Sequence, residues 1–393
     1  MTVPFAAAAV SEHPDLAEAT GEVVGQILEK LAAGGDESGT ADPRDLAILF
    51  VTRPHREHIA EAAKTVRATL APRTLLGVTA ESVVGPSREV EHAPGVALWV
   101  GRTGPVTPFH LGALMTPDGP VLTGVPEVSP DTSGVVLIGD PFSFPVDVFL
   151  QRLERDHPGL PLIGGMALGG QAPGQNRLVV DGEVVTSGAV GVLLGPTVRV
   201  TTVVSQGCRP VGNPFVVTRS EGNVVYELAG KPPLERLGEL AEAMPEDERA
   251  MLYQGVHLGR VIDEHKADFG RGDFLVRNVL GGDPRSGAIQ VGDEIEIGAT
   301  TQFQVRDAES ADEDLRQLLA DHSADAALLF TCNGRGSRLF GSTWPDHDAT
   351  VVTKSLDGAP VAGMFCAGEI GPVGGRNFLH GFTASVLLLS PSG

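Results

Sequence analysis

The chain has 393 residues, 42% hydrophobic and 20% charged, the balance of a globular protein with length for two cores. Its 50 acidic against 29 basic residues give a formal charge of -21, which repels nucleic acid and anionic membrane and so excludes polyanionic partners. Three cysteines, Cys208, Cys332 and Cys366, are too few and too far apart for a disulfide framework or a zinc knuckle, and no apolar run approaches the roughly 20 residues of a membrane span.

In chain order, the opening MTVPFAAAAV lacks the basic residues of a signal peptide, and a reducing cytoplasm is the expected compartment. HPDLAEATGEVVGQILEKLAAGG predicts a helix with Pro14 in its first turn, Leu16, Val23, Ile27 and Leu31 on one face, and a stop at Gly34 and Gly35. DESGTADPRD then reads as a flexible link. LAILFV at 46–51 predicts a buried strand, followed by a helix from Pro54 to about Leu70 and a second strand at TLLGV.

The same layout recurs at GVVLIGD, PVDVFLQRLERDH and LPLIGG, and more loosely from AALLFTCNGRG to PVAGMFCAGEIG. All three end alike, with an apolar strand, a glycine, an alanine three or four residues on, and more glycine. Internal duplication explains the likeness, and so does chance in a chain with 50 glycines. Between the second and third copies the chain turns strand-rich. NPFVVTRSEGNVVYELAG predicts a hairpin turning at Glu221, Gly222 and Asn223; KPPLERLGELAEAMPEDERAMLYQG is helical; Ser310 and Glu313 form a capping box for a helix over about 311–321. The expected architecture is mixed α/β (α+β): an N-terminal helix and linker (1–41), then two sheet-and-helix lobes over 42–215 and 216–393, with the boundary near 208–230.

Several residues are candidates for chemistry. His55 and His58 lie one helical turn apart, but no Glu follows in HExxH register, so a solvated helix face is expected rather than a metal. CNGRG lacks the third glycine of a dinucleotide fingerprint, because position 339 is Leu, and no cofactor is expected. The stronger constellation is Cys332, Arg335, Glu369, Arg376 and His380, at or just beyond two strand ends, where ligands of α/β sheets bind. Arg335 can offer its planar fork to a carboxylate and Glu369 can accept from an ammonium group, a pair suited to an amino acid. The alternative is that the two pair with each other or cap loop amides. A Cys332, His380, Glu369 hydrolytic triad can be drawn, without an oxyanion-hole signature beside it. Ser205 and Gln206 end another strand and can line a cleft between lobes or simply form a turn.

The segments GVLLGPTVRVTTVVSQGCRPVG, VVTRSEGNVVYELAGKPPLERL, FLVRNVLGGDPRSGAIQVGDEIEI, LLFTCNGRGSRLFG and GMFCAGEIGPVGGRNFLHGFTASVLLL resemble the FIST family, the sensory module named for F-box and intracellular signal-transduction proteins. The resemblance covers an N-terminal FIST part over about 42–215 and a C-terminal part over about 235–378. It implies a non-enzymatic sensory protein that binds an amino acid or related small metabolite and signals through a separate partner protein. It supplies no catalytic residues. A protein-interaction scaffold and a Cys-dependent hydrolase stand as alternatives.

Overall fold

The computed structural model describes residues 4–33 and 44–392. The chain is mixed α+β and forms two compact units. One comprises Met1–Val204, Leu315–Leu379 and Thr383–Gly393; the other comprises Ser205–Asp314 and His380–Phe382. The first unit is therefore left and re-entered along the chain.

Three strand–helix–strand units make the frame of the first unit. Their parallel pairs are Leu46–Thr52 with Thr74–Ala80, Gly134–Gly139 with Leu162–Met166, and Ala326–Cys332 with Val361–Cys366. The helices Ile59–Leu70, Val146–Asp156 and His347–Ser355 connect them. Register explains the recurring glycine: Leu49 faces Gly77, Leu137 faces Gly164, and Leu329 faces Gly363. A Cβ on Gly164 or Gly363 would lie 1.7 Å from the carbonyl oxygen of the facing leucine, so only glycine permits these strands to pair as they do.

Each pair is the centre of its own sheet. Antiparallel Val96–Gly101 and Ala6–Ser11 extend the first. Ala189–Leu194 and Val106–Thr116 extend the second on one side, and Glu369–Val373 extends it on the other. Thr383–Pro391 and Val83–Gly85 flank the third. Side chains alternate across a strand with period two, so one set of alternate residues can share a core while the other meets a helix. Ile48 and Phe50, Val136 and Ile138, and Leu328 and Phe330 all enter one central cluster. Their neighbours Leu49, Leu137 and Leu329 turn outward beneath helices. Each such residue fully buried contributes about 1.5–3 kcal/mol.

The helix expected from residue 13 spans Leu16–Ala33, with Val23 and Ile27 buried; its expected stop at Gly34 and Gly35 lies outside the described residues, as does most of the link. The expected Pro54 helix begins as a 3-10 turn, Arg53–His58, that buries His55 while His58 stays exposed beside Glu61. These two histidines do not share a solvated face. Ala6–Ser11, which the sequence reading passed over, is an edge strand of the first sheet.

The second unit holds a closed barrel of Cys208–Glu221, Val224–Leu228, Ile289–Val291, Phe274–Gly282, Val256–Val261 and Thr300–Arg306, filled by residues such as Val225, Leu258 and Phe303. The expected hairpin is present, with Gly222 at φ 55° in its turn. The expected capping box is not the helix start. Helix Ala308–Leu319 opens earlier because Asp307 Oδ1 accepts the amides of Glu309 and Ser310 at 3.1 and 3.2 Å.

Candidate functional site

The third strand–helix–strand unit brings the chemistry together. Cys332 and Cys366 end its two parallel strands in register with one another. After Cys332 the chain folds back on itself: Asn333 N–H donates to the Cys366 carbonyl at 3.0 Å and Arg335 N–H to the Cys332 carbonyl at 2.8 Å. That turn drives Arg335 inward until it is wholly buried.

A buried guanidinium needs a carboxylate, and Asp348, in the first turn of helix His347–Ser355, supplies it. Arg335 Nε and Nη2 donate to Asp348 Oδ2 and Oδ1, both at 2.8 Å, in a bidentate fork. Thr331 Oγ1 also donates to Asp348 at 2.6 Å, and His347 Nδ1 lies 2.8 Å away. Burial alone would raise the Asp348 pKa; the Arg335 charge and these hydrogen bonds outweigh it and hold the carboxyl well below its usual range. Phe340 completes the packing, with its ring 5.3 Å from the guanidinium carbon and stacked on His347 at 3.5 Å. The fork that sequence reading assigned to a ligand carboxylate is thus filled by Asp348, which that reading did not consider.

Glu369 has a different environment. It opens strand Glu369–Val373, which pairs antiparallel with Leu162–Met166 so that Glu369 faces Gly165. Gly165 has no Cβ because the Cys366 sulfur lies 2.3 Å from where one would sit. Fully buried, Glu369 accepts at Oε2 from Thr383 N at 3.1 Å and from Thr383 Oγ1 at 2.9 Å. Its Oε1 is buried and meets no N–H or O–H donor among the described residues, the weakly donating Cys332 thiol being the other group beside the carboxyl. Burial pushes its pKa up to about 8, against the opposing pull of Thr383, the Arg335 charge and the Cys332 thiol. At neutral pH Glu369 is mostly a neutral acid.

Glu89 is a second buried acid in this region. Its Oε1 accepts from Ala349 N–H at 2.9 Å, at the start of helix His347–Ser355, and burial with the nearby Asp348 charge pushes its pKa up to about 8. The Cys366 thiol is pushed well above its usual value, by burial first and then by Glu369 and Cys332, so it behaves as a packed thiol rather than a nucleophile. Cys332 is 7% exposed and accepts from Gly334 N–H at 3.4 Å.

The other sequence candidates have these surroundings. Arg376 is exposed, 4.0 Å from Glu154 and over the Phe378 ring. His380, Ser205 and Gln206 belong to the second unit. There Ser205 Oγ and Gln206 N–H both donate to Asp314, at 2.8 and 2.9 Å, and Gln206 Nε2 donates to the Phe274 carbonyl at 2.8 Å. Among the described residues no group of three His, Cys, Asp or Glu side chains is placed to hold a metal ion, and no helix is long and apolar enough to cross a membrane. Of the residues missed, Asp348 had a local signal, an acid in the first turn of a helix after Pro345. Thr383 had none.

Comparison with known proteins gives matches over nearly the whole chain. The family model for the FIST N domain matches residues 45–231, and that for the FIST C domain matches residues 234–372. An uncharacterized protein of Mycobacterium tuberculosis (strain ATCC 25618 / H37Rv) is 43% identical over 385 residues, 96% of this chain and 98% of that protein. An uncharacterized protein of Mycobacterium bovis is 42% identical over 385 residues, 96% of this chain and 97% of that protein. The first compact unit draws strands from both matched stretches.

Proposed function

The chain belongs to the FIST family of signal-transduction sensory domains, and from that premise we propose that it is a cytoplasmic small-ligand sensor whose recognition centre is Glu369. The ligand carries a protonated amine and is an amino acid or a related small metabolite. The observation that carries the reading is Glu369 Oε1, a fully buried carboxyl oxygen with no N–H or O–H donor among the described residues. Leaving such a group unpaired costs about 1–3 kcal/mol, which a ligand donor recovers on binding.

The remaining parts take defined roles in this reading. Thr383 fixes the carboxyl through Oε2, so Oε1 is the face offered to the ligand. Cys332, 7% exposed beside it, contacts the bound molecule. Arg335, held by Asp348, supplies a fixed positive field rather than a clasp, and Arg376, His380, Ser205 and Gln206 take no part. An ammonium group arriving at Oε1 favours the ionised acid, so binding releases the Glu369 proton to solvent. Affinity then rises with pH up to about 8, while the amine stays protonated. The chain binds and does not turn its ligand over; the output passes through a partner protein.

The test is thermal unfolding of the wild type and of Glu369→Gln against amino acids and small amines at millimolar concentration. A ligand at a hundred times its dissociation constant stabilises by about 2.7 kcal/mol. One compound should raise the wild-type midpoint and leave the variant unmoved. Equal stabilisation of both proteins would remove Glu369 from the site, and no stabilisation of the wild type by any compound would favour the scaffold.

A further inference from the structure

A pocket lies on the opposite face of the sheet that Glu369 joins. Val135 and Leu193 on the outer face of that sheet, with Phe149 and Leu153 of helix Val146–Asp156, wall this pocket of about 170 Å³. Phe109, on the next strand, and the stretch 125–128 complete the lining. All of these residues belong to the first compact unit.

Size decides what the pocket can take. A cavity of about 150 Å³ lined by Leu, Ile and Phe holds benzene. This one is slightly larger, with apolar walls and a polar open side, so it accommodates one aromatic ring with a short substituent. The mouth decides the substituent. The side chains of Arg152 and Asp156 are both partly exposed there, at 43% and 38%, with His157 half-buried and Glu127 exposed. Asp156 is engaged by Arg155 at 2.7 and 3.2 Å, and Arg152 reaches it only loosely, at 3.4 Å through Nε. Among the described residues Arg152 makes no other ion pair. Two guanidinium groups share one carboxylate, and one of them, Arg152, lines the pocket beside its apolar walls.

We propose that this pocket binds a single-ring aromatic monocarboxylate, with the ring between Phe149, Leu153 and Leu193 and the carboxylate on Arg152. This site is separate from Glu369 and does not depend on that residue's role. The experiment is calorimetric titration of the full chain with phenylacetate and, as its neutral counterpart, benzyl alcohol. Both should bind the wild type. Arg152→Gln, a change at a half-exposed side chain, should weaken phenylacetate by about tenfold and leave benzyl alcohol unchanged. Leu153→Trp, which fills the chamber, should abolish both, and Glu369→Gln should alter neither. Failure of both probes to bind the wild type overturns the pocket as a ligand site. An Arg152→Gln variant that loses both probes equally, or neither, overturns the carboxylate contact.

Discussion

The second and third strand–helix–strand units set a buried acid at the end of a strand pair in two opposite ways. In the second unit Asp140 follows Leu137 by three residues and is fully buried, yet both oxygens are used: Asn176 Nδ2 donates to Oδ1 at 2.7 Å, and Ser143 Oγ donates to Oδ2. Asn176 in turn accepts the Gly170 amide at 2.7 Å, so the network is closed. In the third unit the position equivalent to Asp140 is Cys332, and that equivalent to Gly170 is Glu369, with one oxygen satisfied and one not. A closed polar network fixes a fold. An open one keeps interaction free energy in reserve for a partner.

The largest effect is expected at the buried ion pair of the third unit. Arg335→Ala leaves Asp348 buried and uncompensated, and should cost about 3–5 kcal/mol in denaturant unfolding. Gly164→Ala and Gly363→Ala come next, at about 3 kcal/mol each, because both new methyl groups meet a backbone oxygen across the same register. Unequal costs there would break the equivalence of the two units. Gly77→Ala should cost less, since the nearest atom is a Val179 side-chain carbon at 3.1 Å.

The amide substitutions sharpen the contrast further. Asp140→Asn places an amide donor in a network built for acceptors and should cost about 1–3 kcal/mol. Glu369→Gln should cost less than about 1 kcal/mol near pH 6, where the acid is already neutral. The two proteins then diverge with pH. The folded pKa of Glu369, about 8, exceeds its ordinary value of 4.5, so its contribution is full below pH 4.5 and is lost as pH rises to 8. Stability of the wild type should fall over that window more steeply than that of Glu369→Gln. Glu89, raised in the same direction, keeps part of the slope in the variant.

Much of the frame was legible in the sequence. The three apolar runs with a following glycine are visible because buried strands need apolar side chains and the close pairing at Gly164 and Gly363 needs glycine, and Glu369 stands out as a charge in a run of small residues. What was not legible depends on chain segments far apart. Asp348 reaches Arg335 only after an intervening turn and helix, and Thr383 reaches Glu369 only because the last strand returns beside Ala326–Cys332. The strand Ala6–Ser11 was hidden by its run of alanines, which have low strand propensity and become a strand only against Val96–Gly101. The barrel showed as strand-rich sequence, but closure is a property of the pairing order, which no single segment encodes.

On the proposed reading Glu369 is held as a neutral acid until a cationic donor reaches it. Carbon-detected NMR titration of the side-chain carboxyl in glutamate-labelled protein, assigned with Glu369→Gln, tests this directly. The expected result is a midpoint near 8 without ligand and a lower one when the ligand of the thermal screen is bound. A midpoint near the ordinary 4.5, unmoved by that ligand, would contradict it.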